Sequence, residues 1–202
     1  STVAERRILG VTDQFEFFLD NDLLAITEGQ TIGFPLIGSD TTTDWVHFAV
    51  IVDASTGFAN FYLDGLFLGL GSVDPLTPNP NPFRMGVEGN SNFFAGSIDE
   101  VKIFDVALTV DQMRQMIHQE VMQNGANIRG LVVPRDIEDL TTAANVPWSS
   151  LVAYYNMSDI KGNRLEDQTA NDNYAFMKNI ASVEPQTAPM PYITTADGNW
   201  ED

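Results

Sequence analysis

Closely spaced carboxylates are the residues of this chain whose types and spacing could do chemistry. Retaining hydrolysis of a glycosidic bond needs two carboxyl groups about 5 Å apart, and acids alternating along one strand can share a face. The nearest candidate is Asp136-Ile137-Glu138, but Pro134, not an acid, stands two residues earlier, and the segment reads as a loop. Asp99 and Glu100 are adjacent, so in a strand they point to opposite faces. The sequence therefore predicts no enzyme, with glycoside hydrolysis as the alternative.

The two histidines and the glycines add no other catalytic device. His118 lies late in a predicted helix near Glu120, and His47 lies in a strand-like run. We expect both to be packed or surface residues. The segment from Gly86 to Gly96 lacks the strand-to-helix context of a phosphate-binding loop. Nucleotide chemistry is therefore not expected.

Composition limits the partners of the chain. Its 202 residues include 10 Lys and Arg against 28 Asp and Glu, a net charge of −18. A surface this negative repels nucleic acid and anionic lipid, although it is compatible with divalent cations and with simple solubility. No cysteine is present, which excludes disulfides, and no apolar run approaches the roughly 20 residues that span a bilayer. We expect a globular protein without nucleic-acid binding or membrane insertion.

Two adjacent antiparallel hairpins are predicted in the first half of the chain. Trp45 to Val52 is a strand-length run, and Phe58 to Leu63 resumes after turn residues. Asp64-Gly65 is a two-residue signal for a tight turn with positive φ, and Leu66 to Leu70 leads back. These runs predict a sheet of three consecutive strands.

One amphipathic helix is predicted after these strands. Thr109 and Gln112 have the spacing of a capping box. Apolar residues then follow at helical spacing up to Val121, and Gly125 is placed to end the helix. We expect its methionines and aliphatic side chains to pack on a sheet.

The chain resembles the laminin-G-like domain of the concanavalin A-like lectin and glucanase jelly rolls. The motifs that carry this resemblance are Trp45-x-His47-x-Ala49, Tyr62-x-Asp64-Gly65, and Phe94-x-Gly96-x-Ile98-Asp99-Glu100-Val101 followed by Ala107-Leu108. Their order and spacing match over about residues 8 to 118. The resemblance implies an all-β, antiparallel jelly-roll β-sandwich with one short C-terminal amphipathic helix and an extended tail.

A second resemblance concerns the end of the chain. Tyr154-Tyr155-Asn156-Met157-x-Asp159-x-x-Gly162-x-x-Leu165-x-Asp167 is similar to the segment that normally opens such a domain. In the resembled family other strands open the domain, and from the resemblance we expect them to be missing upstream of Ser1. The late segment either starts another domain or folds back on the sandwich, and burial of its tyrosines favours the second. We predict a sandwich body over 1–126, a connection with the opening-like segment over 127–182, and a linker-like tail over 183–202.

The resemblance also implies a metal site and a ligand surface. Calcium takes six to eight oxygen ligands, and in the resembled folds it often lies where the opening strand meets the last strand. The ligands carried over by position are Asp99, Asp159, Gly162 and Asp167. The alternative is that Asp99 and Asp167 cap turns. For ligand binding, the expected residues are Asn92, Phe93 and Phe94, although alternation predicts that one of the two rings is buried.

The tail and the domain resemblance together indicate a context. The segments 185–192 and 197–200 are similar to linkers of SprB-like gliding-motility adhesins, which are large surface proteins of Bacteroidetes. The expected function is a non-catalytic binding module of a secreted cell-surface adhesin. Its expected partners are extracellular polysaccharide, glycoprotein or a solid surface, and neighbouring modules of the same protein. A polysaccharide-degrading enzyme or its accessory module is the alternative.

Overall fold

The computed structural model describes residues 6–12, 14–20, 23–27, 31–35, 45–73, 80–87 and 91–178. Within them the strands and the helix have the following bounds: β1 (Arg6–Val11), β2 (Phe15–Asp20), β3 (Leu23–Thr27), β4 (Thr31–Pro35), β5 (Phe48–Asp53), β6 (Phe58–Leu63), β7 (Leu66–Ser72), β8 (Phe83–Met85), β9 (Val101–Phe104), α1 (Val110–Gln115), β10 (Val121–Asn124), β11 (Asn127–Gly130), β12 (Leu151–Tyr155), β13 (Ile160–Lys161), β14 (Arg164–Leu165) and β15 (Ala175–Phe176). The tail predicted over 183–202 lies outside the described residues.

The chain divides into two compact units, 1–98 and 99–202, which we call unit 1 and unit 2. The sequence does not signal this boundary, since the resembled motif runs across it from Phe94 to Val101. The segment boundary predicted after residue 126 falls in the turn of the β10–β11 hairpin, where Asn124 pairs with Asn127.

Unit 1 is a two-layered antiparallel sandwich. One sheet has the strand order β4-β3-β2-β1-β8, and the other has the order β5-β6-β7. Ala59 and Phe61 of β6 are fully buried between the layers, where Phe15 and Phe17 of β2 pack against them. Period-2 alternation explains this, because alternate residues of a strand share the face that turns toward the core.

The predicted turn at Asp64-Gly65 joins β6 to β7. Both residues have positive φ, 48° and 74°, as a two-residue type I′ hairpin requires. The Asp64 carboxylate accepts a hydrogen bond from the amide of His47 at 2.7 Å, and the Asp64 amide donates to the His47 carbonyl at 2.7 Å. The turn is therefore tied to the residue that precedes β5.

Unit 2 is built around the pairing of β9 with β12. The two strands are antiparallel, with Tyr155 opposite Val101 and Leu151 opposite Phe104. The opening-like segment thus adds a strand to the residues that carry the Ile98-Asp99-Glu100-Val101 motif. The core of unit 2 is made of residues that lie between 116 and 154 in the sequence: Met116, Val121, Ile128, Ile137, Val146, Leu151 and Tyr154.

The helix begins as predicted but ends early. The capping box between Thr109 and Gln112 is present, and Met113 is buried. The helix nevertheless stops at Gln115, and the prediction that it continues to Gly125 is wrong. His118 has φ +58°, which breaks the helical path, and Val121 starts β10 instead. Val121, paired with Gly130 of β11, is buried without a helix.

The architecture is a mostly antiparallel β-sandwich of jelly-roll type with one short helix in the part of the chain that is described. The fold class predicted from the sequence is confirmed. Among the same residues, no helix is long and apolar enough to cross a bilayer.

Candidate functional site

A loop beside β1 presents two neighbouring rings; we call residues 91–96 the aromatic loop. The Arg7 amide donates to the Asn92 carbonyl at 3.0 Å, and the Phe94 amide donates to the Gly86 carbonyl at 2.9 Å. Asn92 turns the chain with φ +53°. Backbone bonds on both sides of Phe93 therefore hold the backbone of the loop in place.

The two rings of the aromatic loop have different environments. Phe93 is 61% exposed, whereas Phe94 is half-buried. The Phe94 ring lies over Gly96, where an added Cβ would stand 2.7 Å from ring carbons. Phe94 therefore anchors the loop, and Phe93 is the ring that a ligand can reach. Asn92 contributes its carbonyl to the loop backbone, and its side chain is half-buried.

A second apolar surface of unit 1 was not predicted from the sequence. Phe58, Phe67 and Leu70 of β6 and β7 are 42%, 54% and 55% exposed. Register places them on the face of the sheet opposite to Ala59 and Phe61. The Phe67 ring lies 5.7 Å from that of the buried Tyr62.

Asp167, a predicted metal ligand, instead organises a turn. Its Oδ1 accepts from the amides of Tyr154 at 3.0 Å and Thr169 at 2.9 Å. Its Oδ2 accepts from the Thr169 hydroxyl at 2.8 Å and the Asn173 amide at 2.9 Å. Four donors engage the carboxylate, so its lone pairs are directed at N–H and O–H groups.

The other predicted metal ligands also have identifiable partners. Asp99 accepts from the Glu100 amide at 2.9 Å, and the Asp159 carboxylate lies 3.5 Å from the side-chain nitrogen of Gln168. Gly162 has φ +67° in the tight turn between β13 and β14. Within the described ranges, no group of three or more His, Asp and Glu side chains could hold a metal ion. Calcium binding by Asp99, Asp159, Gly162 and Asp167 stays a prediction.

A buried charged network lies next to Asp99 and was missed by the sequence analysis. Lys102 Nζ lies 2.6 Å from Glu100 Oε2 and donates to the Gln119 carbonyl at 3.0 Å. The Tyr154 hydroxyl donates to Glu100 Oε2 at 2.9 Å, and Lys102 Nζ lies 5.0 Å from the centre of the Tyr154 ring. We call Glu100, Lys102 and Tyr154 the buried triad. The sequence feature that could have indicated this triad is the two-residue spacing of Glu100 and Lys102, together with the tyrosine-rich run that forms β12.

Burial dominates the electrostatics of the buried triad. It raises the pKa of Glu100 and lowers the pKa of Lys102, in each case against the attraction of the opposite charge. Burial also raises the pKa of Tyr154, and the nearby Glu100 carboxylate adds to that shift. Glu100 has φ +55°, which is uncommon for a residue other than glycine. The triad joins β9 to β12 and has the character of a structural ion pair.

The carboxylates considered for glycoside hydrolysis serve the β10–β11 hairpin. Asp136 accepts from the side-chain amides of Asn124 at 2.7 Å and Asn127 at 3.1 Å. These bonds, more than the nearby Arg129, lower the pKa of Asp136. A general acid needs a raised pKa, so Asp136 is unsuited to that role. Ile137 between the two acids is fully buried in the core of unit 2.

The sandwich and the exposed ring of the aromatic loop define a lectin-type β-sandwich protein. The chain belongs to the Concanavalin A-like lectin/glucanases superfamily, because a laminin G model of that superfamily matches residues 3–114. This superfamily includes binding proteins as well as hydrolases, so membership alone does not decide between them. A search of curated protein sequences gave no match.

A solved structure with a similar fold comes from Bacteroides ovatus ATCC 8483 and is described as that of a candidate carbohydrate binding protein. The match covers 95% of this chain with a TM-score of 0.64 and 19% sequence identity. The chain spans about half of that protein, 52% of its length. At this identity the similarity supports the fold.

Proposed function

We propose that this chain is a non-catalytic carbohydrate-binding module of a large secreted cell-surface adhesin. The observation that carries the proposal is Phe93, a ring 61% exposed on a loop that backbone hydrogen bonds hold against the sandwich. A loop backbone that is already held in place loses little conformational entropy when a sugar stacks on its exposed ring. The description of the Bacteroides ovatus protein with a similar fold is in keeping with this function.

The surface context follows from the charge and the resemblances of the chain. A net charge of −18 disfavours anionic partners and leaves neutral glycans as suitable ones. The laminin-G-like motifs and the linker-like tail are typical of modules in gliding-motility adhesins. In this context the module contacts extracellular polysaccharide or glycoprotein, or a coated surface, during attachment.

Binding without catalysis agrees with the roles of the acidic side chains. Asp136 and Asp167 are each engaged by several hydrogen-bond donors, and Glu100 is paired with Lys102 in the buried triad. A retaining glycosidase instead needs two carboxyl groups that face the same sugar.

Replacement of Phe93 tests the proposed function. We expect Phe93→Ala to weaken retention on an immobilised polysaccharide by about tenfold, the loss of ~1.4 kcal/mol that one stacked ring can supply. The matched control is Leu66→Ala, since Leu66 is 64% exposed in the same unit. Affinity electrophoresis across a polysaccharide panel measures both variants. Release of reducing sugar by the wild-type chain would contradict the proposal.

Calcium is a separate prediction. Calcium that binds to the folded chain would raise the melting temperature of the chain, and removal of calcium by a chelator would reverse the increase. Asp99→Ala would abolish the increase if Asp99 is a ligand. An unchanged melting curve would remove calcium from the description of this module without affecting the role of Phe93.

A further inference from the structure

Unit 2 carries a pair of exposed rings, Tyr174 and Phe176, on a backbone that is held by hydrogen bonds. The turn between Asp167 and Asn173 leads directly into Tyr174. Asp167 accepts from the Asn173 amide at 2.9 Å, the Tyr155 hydroxyl donates to the Asn173 carbonyl, and the Asn173 side-chain amide donates to the Val152 carbonyl at 3.0 Å. Three bonds thus hold one residue to β12 and to its turn. The backbone that enters β15 has little freedom.

The rings themselves form a corner that is open to solvent. Tyr174 is 40% exposed and Phe176 is 64% exposed, with ring centroids 6.3 Å apart and planes at 87°. Tyr174 immediately precedes β15 and is separated from Phe176 by Ala175, so extended backbone places both side chains on the same side. Adjacent exposed rings form an apolar patch, and such patches mark interaction sites on protein surfaces.

Charged groups on β13 and β14 border the rings. The Arg164 guanidinium lies 4.3 Å from the centre of the Tyr174 ring, and Arg164 stands opposite Phe176 in the ladder. Glu166 bonds to Arg164 Nε at 2.5 Å and lies 3.5 Å from Lys161 Nζ. Donors and acceptors are therefore placed side by side at the rim.

The exposed rings together with the neighbouring Arg–Glu pair favour one class of ligand over others. The two cations are balanced by Glu166 and by Asp172, which acts electrostatically on Arg164, so the surface has little net charge to attract a charged polymer. Sugar hydroxyls both donate and accept, and an Arg–Glu pair offers them both types of partner. The C–H face of a pyranose matches an exposed ring.

We propose that Tyr174, Phe176 and Arg164 form a second sugar-binding site, which takes a neutral pyranose unit of a polysaccharide. We call these three residues the unit 2 platform. One face of the pyranose stacks on Phe176, and Tyr174 borders its edge. Arg164 and Glu166 bind its hydroxyl groups. This site deepens the proposed carbohydrate-binding function and rests on it, but it uses no residue of the aromatic loop.

Site-specific variants of the full chain test the unit 2 platform. We expect Phe176→Ala to weaken retention by neutral polysaccharides, such as mannan, xyloglucan and mixed-linkage glucan, by about tenfold, and Tyr174→Ala by several-fold. Arg164→Lys keeps the charge but loses the planar pair with Glu166, and it should also weaken binding. The matched control is Leu140→Ala, because Leu140 is 61% exposed in the same unit. Circular dichroism spectra verify that each variant is folded.

The outcomes separate the two sites. The unit 2 platform is supported if Phe176→Ala loses binding while Leu140→Ala binds as the wild type does. If Phe93→Ala abolishes binding while Phe176→Ala and Tyr174→Ala behave as wild type, the platform is refuted and the carbohydrate-binding function stands. Stronger retention by alginate or polygalacturonate than by neutral polysaccharides would refute the neutral class of ligand. Absence of binding to all of them would overturn both proposals.

Discussion

Lys102 shows how a single buried charge depends on its partner. The side chains of Lys102 and Glu100 are only 10% and 17% exposed, and they lie 2.6 Å apart. Because folding raises the pKa of Glu100, protonation of Glu100 stabilises the folded chain at pH values below the ordinary glutamate pKa. This stabilisation is lost as the pH rises through the pKa of Glu100 in the folded chain. Because folding lowers the pKa of Lys102, the neutral amine stabilises the folded chain at pH values above the ordinary lysine pKa. This stabilisation is lost as the pH falls through the pKa of Lys102 in the folded chain. At neutral pH, burial therefore disfavours both charges, and their mutual attraction offsets this cost.

Removal of one charge from this pair should be costly. We expect Lys102→Met to lower the free energy of unfolding by about 3 kcal/mol, because it leaves Glu100 buried with only Tyr154 as a partner. The double variant Glu100→Gln with Lys102→Met should recover most of the loss, to within about 1 kcal/mol of wild type. Urea unfolding of the four proteins of this cycle measures the coupling. Additive losses would show that the two side chains do not stabilise one another.

Asp139 gives a second prediction at the residue scale, through pH. Its carboxylate accepts from the Thr142 hydroxyl at 2.8 Å and from the amides of Thr142 at 2.7 Å and Thr141 at 3.1 Å. These bonds lower its pKa, with the Thr142 hydroxyl as the largest cause. A lowered pKa contributes stability above the ordinary aspartate value that is lost as pH falls through the folded value.

We therefore expect Asp139→Asn to unfold more easily at pH 7 than wild type, with the difference shrinking below about pH 4. Melting curves at several pH values measure it. Asp105→Asn is the control, since it removes an exposed carboxylate from the same unit. A destabilisation of Asp139→Asn that stays constant down to pH 2 would assign its effect to packing rather than to charge.

At the scale of elements, the hairpin of β6 and β7 depends on its two turn residues. Gly65 has φ +74°, a conformation that costs other residues about 1 kcal/mol. We expect Gly65→Ala to lower the urea midpoint by an amount equivalent to ~1 kcal/mol. Asp64→Asn is the matched control, because asparagine tolerates positive φ and keeps an oxygen for the His47 amide. Equal stability of Gly65→Ala and wild type would mean that the turn adopts another type in solution.

The end of the helix shows where local pattern fails as a guide to elements. Thr109 and Gln112 specify the first turn by hydrogen bonds within four residues, so the start could be predicted. The apolar spacing of Ile117 and Val121 is equally compatible with a helix and with a loop that enters a strand. Pairing of Val121 with Gly130 decides between them, and this contact is between segments that sequence spacing does not connect.

For the molecule as a whole, the predictable parts are those that a short segment determines. The three-stranded sheet followed from strand-length runs and the turn at Asp64-Gly65, and the sandwich followed from the laminin-G-like resemblance. Alternation predicted that one of Phe93 and Phe94 is buried, but not which one. Turn capping by Asp167 was one of two alternatives that the sequence left open, and the buried triad was not predicted. Both depend on which amides and charges the fold brings to each carboxylate. The same limit applies to the boundary at residue 98.

The division into two units leads to a prediction about cooperativity. Leu151 is 1% exposed in a core made of residues from unit 2, and Phe61 is fully buried in a cluster made of residues from unit 1. We expect Leu151→Ala to destabilise its core by about 3 kcal/mol and to speed amide hydrogen exchange in β9 and β10. Phe61→Ala should do the same in β5 and β7. If each variant speeds exchange mainly in its own unit, the two cores unfold separately. Equal acceleration in all four strands would show that the chain unfolds as one cooperative body, because destabilising either core would then also destabilise the other.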